Sequence, residues 1–85
     1  MLALSMTNGW LGIEKAPGGD AYIEGTDIAV WQLVNYRRHG ASDKDLLNRF
    51  PNLSITELRN AWAYANTHSL EIEVAIADYE DIEFW

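Results

Sequence analysis

Two interruptions constrain this chain more than any other feature: Gly40-Ala41-Ser42 and Phe50-Pro51-Asn52-Leu53-Ser54. They cut the run from Tyr22 to Ala65 into three short helical segments with tight joints, the plan of a helix-turn-helix bundle. Gly25-Thr26-Asp27 leads into the first segment, with Thr26 or Asp27 placed to cap its free amides. Val30, Leu33, Val34 and the stem of Arg37 then share one face at helical spacing, and Gly40 ends the helix where the backbone must turn left-handed. Ser42, with Asp45 three residues on, opens the second helix, which buries Leu46, Leu47 and Phe50 and stops before Pro51. Ser54-Ile55-Thr56-Glu57 is a capping box, with Leu53 placed to staple onto Leu58. Leu58, Ala61, Trp62 and Ala65 follow as a buried stripe, with Thr56, Arg59, Asn60 and Ala63 outward. The predicted helices are 27–39, 42–50 and 54–67.

Either side of this core the pattern changes. Trp10–Lys15 and Ala21–Glu24 are rich in strand formers around the turn signal Ala16-Pro17-Gly18-Gly19-Asp20, which predicts a β-hairpin. Two strands alone leave open edges, so the hairpin either packs on the helices or pairs with the same strand of a second subunit, and the second arrangement is favoured. After Ser69, Leu70, Ile72, Val74 and Ile76 alternate with Glu71, Glu73 and Ala75 as in a strand, while Ile72, Ala75, Ile76 and Tyr79 fit a helical stripe. Helix is favoured for residues 70–77, with Ser69 as a cap, and Glu80 to Trp85 as a tail that orders on a partner.

Size and charge restrict what such a domain can do. A chain of 85 residues buries only roughly 60–65% of its unfolded surface, and without cysteine it has no disulfide to compensate. The net charge of −7 is unevenly placed: residues 1–40 carry −1, residues 41–69 are balanced, and residues 70–85 carry −6 with no Lys or Arg. A nucleic-acid binder usually presents a basic face, and this chain is acidic at one end instead. No apolar run reaches membrane-spanning length and Met1–Met6 lacks a basic leader, so a soluble cytoplasmic protein is expected.

No constellation announces a reaction. His39 and His68 lack further ligands at zinc spacing, and Asp78, Glu80, Asp81 and Glu83 lack the glycine and alternating oxygens of a calcium loop. Gly18-Gly19 lacks the Lys-Ser/Thr of a phosphate loop. No catalytic residue, metal or cofactor is therefore expected. Arg37-Arg38-His39 either complements the first helix's dipole or contacts phosphate beside a reading helix. On the third helix Ser54, Thr56, Arg59 and Asn60 are groove-contacting types, Asn60 suited to adenine and Arg59 to guanine. Tyr79, Ile82, Phe84 and Trp85 alternate with acids, as in segments that order on a partner; the alternative is that they fold back onto the core.

The elements GTDIAVW, the Gly-Ala-Ser joint, FPNLS and AWAYA together resemble a bacterial group, domain-of-unknown-function family 433, over Ile13 to about Ile76. The resemblance implies a homeodomain-like three-helix core with an N-terminal β arm. It also implies kinship with VapB-type antitoxins, which partner PIN-like ribonuclease toxins, and it brings no catalytic residues. Asp27 stands where the family usually has arginine, and Arg37 where leucine is common.

The expected architecture is one mainly α domain. Residues 1–26 form a β-hairpin arm, 27–68 a helix-turn-helix core, and 69–85 a C-terminal helix or acidic tail. The expected function is an antitoxin-like protein that masks a ribonuclease-type partner and dimerises through its β arm. The alternative is a DNA-binding regulator using the helix at 54–67, with weak DNA affinity when alone.

Overall fold

The computed structural model describes residues 11–15 and 19–83, with side chains as far as Glu80. Strands β1 (Ile13–Lys15) and β2 (Ala21–Ile23) precede helices α1 (Val30–Arg38), α2 (Asp43–Arg49), α3 (Ile55–Thr67) and α4 (Ser69–Glu83). The described residues thus form four helices and one small antiparallel sheet, where a three-helix core followed by a C-terminal helix or acidic tail is expected.

The inner helix starts follow from local chemistry. At α2 the Asp45 amide donates to Ser42 Oγ (3.1 Å) and the Ser42 amide donates to Asp45 Oδ2 (2.9 Å). At α3 the Glu57 amide donates to Ser54 Oγ (3.1 Å) and the Ser54 amide to Glu57 Oε1 (3.0 Å). Each box satisfies two donors that a helix start would otherwise leave open. Leu53 is buried beside Leu58, in the position of the expected staple. The end of α1 is equally local. Gly40 has φ +100°, its amide donates to the Arg37 carbonyl and that of Ala41 to the Tyr36 carbonyl, both at 3.1 Å. This pair of bonds is a Schellman closure.

The start of α1 departs from expectation. Neither Thr26 nor Asp27 caps it, and the helix begins at Val30. Thr26 is used one turn earlier: its hydroxyl donates to the Ile23 carbonyl (2.9 Å) and accepts from the Ile28 amide (3.0 Å). The Ile23 amide donates to the Ile28 carbonyl, and Tyr22 bridges Ala29, so the chain turns at residues 24–27 and Ile28 and Ala29 return alongside β2 before the helix starts. Gln32 Oε1 accepts the Ala29 amide (2.9 Å) at the true helix start.

The hairpin pairs Ile13 with Ile23, Glu14 with Tyr22 and Lys15 with Ala21; the expected Trp10 and the turn residues Ala16, Pro17 and Gly18 lie outside the described residues. Strand alternation puts Ile13, Ala21 and Ile23 on one buried face, which packs against α1 and α3 of the same chain. Any pairing with a second subunit would use the strand edge, since the apolar face is already covered.

The core is built on Ile23, Val30, Leu33, Leu46 and Leu58, all essentially inaccessible. On α3 the buried residues are Leu58, Ala61 and Tyr64, while Trp62 and Ala65 are only half-buried. Tyr64 replaces Trp62 in the expected stripe because α4 turns back at His68 and covers that side of α3. Residues 70–77 are helical, and Ser69 is the first helical residue rather than the cap; the Ile72 amide donates to the His68 carbonyl. Ile72 and Ile76 are the α4 side chains that enter the core. Glu80 is helical too, and Phe84 and Trp85 lie outside the described residues.

These packing differences set the scale of mutational damage. Ile76→Ala is expected to destabilise by about 2–5 kcal/mol and to lower helix content, because it opens a cavity under α4. Ser54→Ala, which removes only a cap, is expected to cost about 1 kcal/mol. Urea unfolding followed by circular dichroism checks both values.

Candidate functional site

The six residues expected to meet DNA are dispersed in role. Ser54 is spent on the α3 cap. Asn60 is half-buried and lies against the hairpin: a Cβ at Gly12 would stand 2.8 Å from its Nδ2, and Gly12 has φ +79°. The Arg37 guanidinium sits over the Trp62 ring, 4.5 Å from its centroid, in a cation–π contact. Trp62 Nε1 in turn donates to Asp43 Oδ1 (3.1 Å), tying α3 to the start of α2. Arg38 is ion-paired with Glu73 of α4. The hydrogen bond it donates to Glu73, reinforced by the charges of Glu73 and Glu80, holds the guanidinium above its ordinary pKa despite the desolvation that lowers it. Thr56 and Arg59 are exposed on α3.

His39 completes the basic triplet, with Nδ1 2.8 Å from the Asn35 carbonyl oxygen. The triplet thus serves local structure, through ring stacking, an ion pair and a helix-end hydrogen bond. Of the four expected partner contacts, Tyr79 packs on Trp31 with centroids 5.1 Å apart and stays 39% exposed. Trp31 also donates from Nε1 to Asp20 Oδ2 (3.2 Å). The Ile82 side chain, Phe84 and Trp85 lie outside the described side chains.

What the structure brings together instead is a polar knot under α4. The Tyr64 hydroxyl donates to the Glu71 carboxylate, with Oε1 and Oε2 at 2.8 and 2.9 Å. Lys15 Nζ stands 4.0 Å from Glu71 Oε2 and donates to the Gly19 carbonyl (2.9 Å). One glutamate therefore links the hairpin, α3 and α4. Sequence reading missed it because Lys15 is far along the chain from Glu71, and Tyr64 lies on a different helix that only the α4 docking aligns with it. A cavity of about 280 Å³ runs along α1, lined by Trp31, Gln32, Asn35, Tyr36, His39 and Tyr79. It contains no paired carboxylates. Among the described residues no group of three or more His, Cys, Asp or Glu side chains could hold a metal ion.

Burial, then the hydrogen bond to Glu71 and the charge of that carboxylate, push the Tyr64 phenol above its ordinary value of 10.0. The folded state thus keeps a proton that the unfolded chain releases first. The associated stability is complete below pH 10 and is lost as pH rises from there toward the higher folded value. Chemical denaturation between pH 9 and 12 is expected to show stability falling with pH, and Tyr64→Phe is expected to flatten that fall.

A family model described as a protein of unknown function, DUF433, matches residues 14–65 of the chain. Among solved structures, the crystal structure of a DUF433 member from Anabaena variabilis ATCC 29413 is 42% identical, with a TM-score of 0.74. That match covers 78% of this chain and 68% of the other. No curated protein matches. Among the described residues no helix is long and apolar enough to cross a membrane. The expected family resemblance therefore holds, and the chain belongs to the DUF433 family.

Proposed function

We propose that this DUF433 protein is an antitoxin-like interaction protein whose α4 masks the basic surface of a ribonuclease-type partner. The observation that carries the proposal is α4 itself. Residues 70–85 contain six acids and no Lys or Arg, and they open with a surface helix held to the core mainly by Ile72 and Ile76. Within the chain, α4 already engages cations: Glu73 pairs with Arg38 and Glu71 approaches Lys15. The acids from Asp78 onward would compete with RNA phosphates for a nuclease's basic groove, and complementary charge would speed the encounter. A PIN-like ribonuclease encoded by the neighbouring gene is the proposed partner, and a homodimer through the β arm is the proposed assembly. Co-expression with that gene product is expected to yield a complex without ribonuclease activity. A nuclease that stays active at equimolar protein would remove the proposal.

DNA binding through a helix-turn-helix of α2 and α3 is the second reading, supported by the exposed Thr56 and Arg59. Ser54, Asn60, Arg37 and Arg38 are drawn into intramolecular contacts, which leaves this reading less cationic surface. Duplex binding by the intact protein is accordingly expected to be weak and salt-sensitive. Truncation after Ala77 removes four acids while keeping Ile72 and Ile76. It is expected to strengthen binding to duplexes and to cost about 0.5–1.5 kcal/mol beyond lost surface, the worth of the Tyr79–Trp31 contact. Fluorescence anisotropy and thermal melts of the truncated chain read both effects.

A further inference from the structure

The face of α4 that points away from the core is also apolar. Leu70 is 77% exposed and Val74 is 52% exposed, while Ile72 and Ile76 on the opposite side are buried. Leu70, Val74 and the exposed Ala77 stand at i, i+4 and i+7, which lines them up as one ridge on the side opposite the core. A single exposed leucine needs no explanation. Two large aliphatics in register on a surface helix, with Glu73 flanking on one side and Asp78 on the other, form the pattern of a helix that enters a groove.

The charge around the ridge selects its occupant. A second copy of this chain fits badly: two α4 helices would set acids against acids. The nearby cations Lys15 and Arg38 are already engaged with Glu71 and Glu73 of their own chain. We propose that the ridge Leu70–Val74–Ala77 is a docking surface for a partner protein whose apolar groove is rimmed by Lys and Arg. Leu70 and Val74 supply the buried anchors, and the flanking acids set encounter rate and register. The docking residues thereby move from the tail aromatics to the outer side of α4. This rests on the interaction-protein reading but does not require the partner to be a nuclease.

The test places the photo-crosslinker p-benzoylphenylalanine at Ala77, on the ridge beside the two anchors, and at Thr56 on α3 as a control. Both chains are irradiated in the cells that express the protein from its own locus. An adduct at position 77 but not 56, on a peptide rich in Lys or Arg, is expected. The purified pair is then measured by surface plasmon resonance. Leu70→Ser/Val74→Ser is expected to weaken affinity about thirtyfold through dissociation. Asp78→Asn is expected to slow association several-fold and to reduce its salt dependence. Circular dichroism of each variant separates misfolding from lost contact. A self-adduct, an adduct only at position 56, or none at either position overturns the docking surface. Nuclease inhibition undiminished in the double variant also overturns it, while leaving the proposed function intact. A basic partner captured at position 77 that is not a nuclease supports the surface and removes the nuclease.

Discussion

α1 has nine residues, and β2, α2, α3 and α4 all rest on it. So short a helix is marginal on its own in water, so its stability comes from the partners on each of its sides. Val30 and Leu33 are fully buried, Arg37 lies over Trp62 of α3, and Arg38 reaches Glu73 of α4. The dependence is mutual. α3 has a covered face because α1 fills it, and α4 is packed rather than loose because α1 and α3 leave a place for Ile72 and Ile76. Loss of any one neighbour therefore exposes apolar surface on several others, which ties the helical core and the hairpin into one cooperative unit.

Features governed by neighbours in the chain were legible in the sequence. The two capping boxes, the Gly40 closure and the Leu53–Leu58 staple each involve residues within five positions of one another. The misplaced features depend on distant partners. Thr26 has the chemistry of a cap, but the sheet claims its hydroxyl before the helix can. Tyr64 looks like a flank residue until α4 covers it. The alternation of Leu70, Ile72, Val74 and Ile76 mimics a strand. In a helix it becomes two opposite apolar sides, one for the core and one for solvent, and periodicity alone does not choose between them. The acidic segment was legible in the sequence, but the face of α4 that carries the proposed docking surface was not. That required knowing which isoleucines turn inward.

Electrostatics and packing divide the labour across α4. The Arg38–Glu73 pair is exposed on both sides, and such pairs contribute at most about 1 kcal/mol. The helix is held instead by its isoleucines and by the half-covered Tyr64–Glu71 knot. The exposed acids of α4 thus contribute little to holding it on the core. Charge there can be tuned to a partner without large consequences for folding, whereas change at Glu71 disturbs three elements at once.

The exposed aliphatics of α4 also bear on how the free protein behaves in a crowded solution. Leucine and valine displayed in register invite indiscriminate sticking, and the carboxylates beside them act as gatekeepers that keep neighbouring molecules apart. That protection is only as durable as the negative charge. As the medium acidifies toward the range where carboxylates take up protons, the repulsion fades while the ridge stays bare. Colloidal stability thus rests on surface charge, whereas the seat of α4 on the core rests on Ile72 and Ile76.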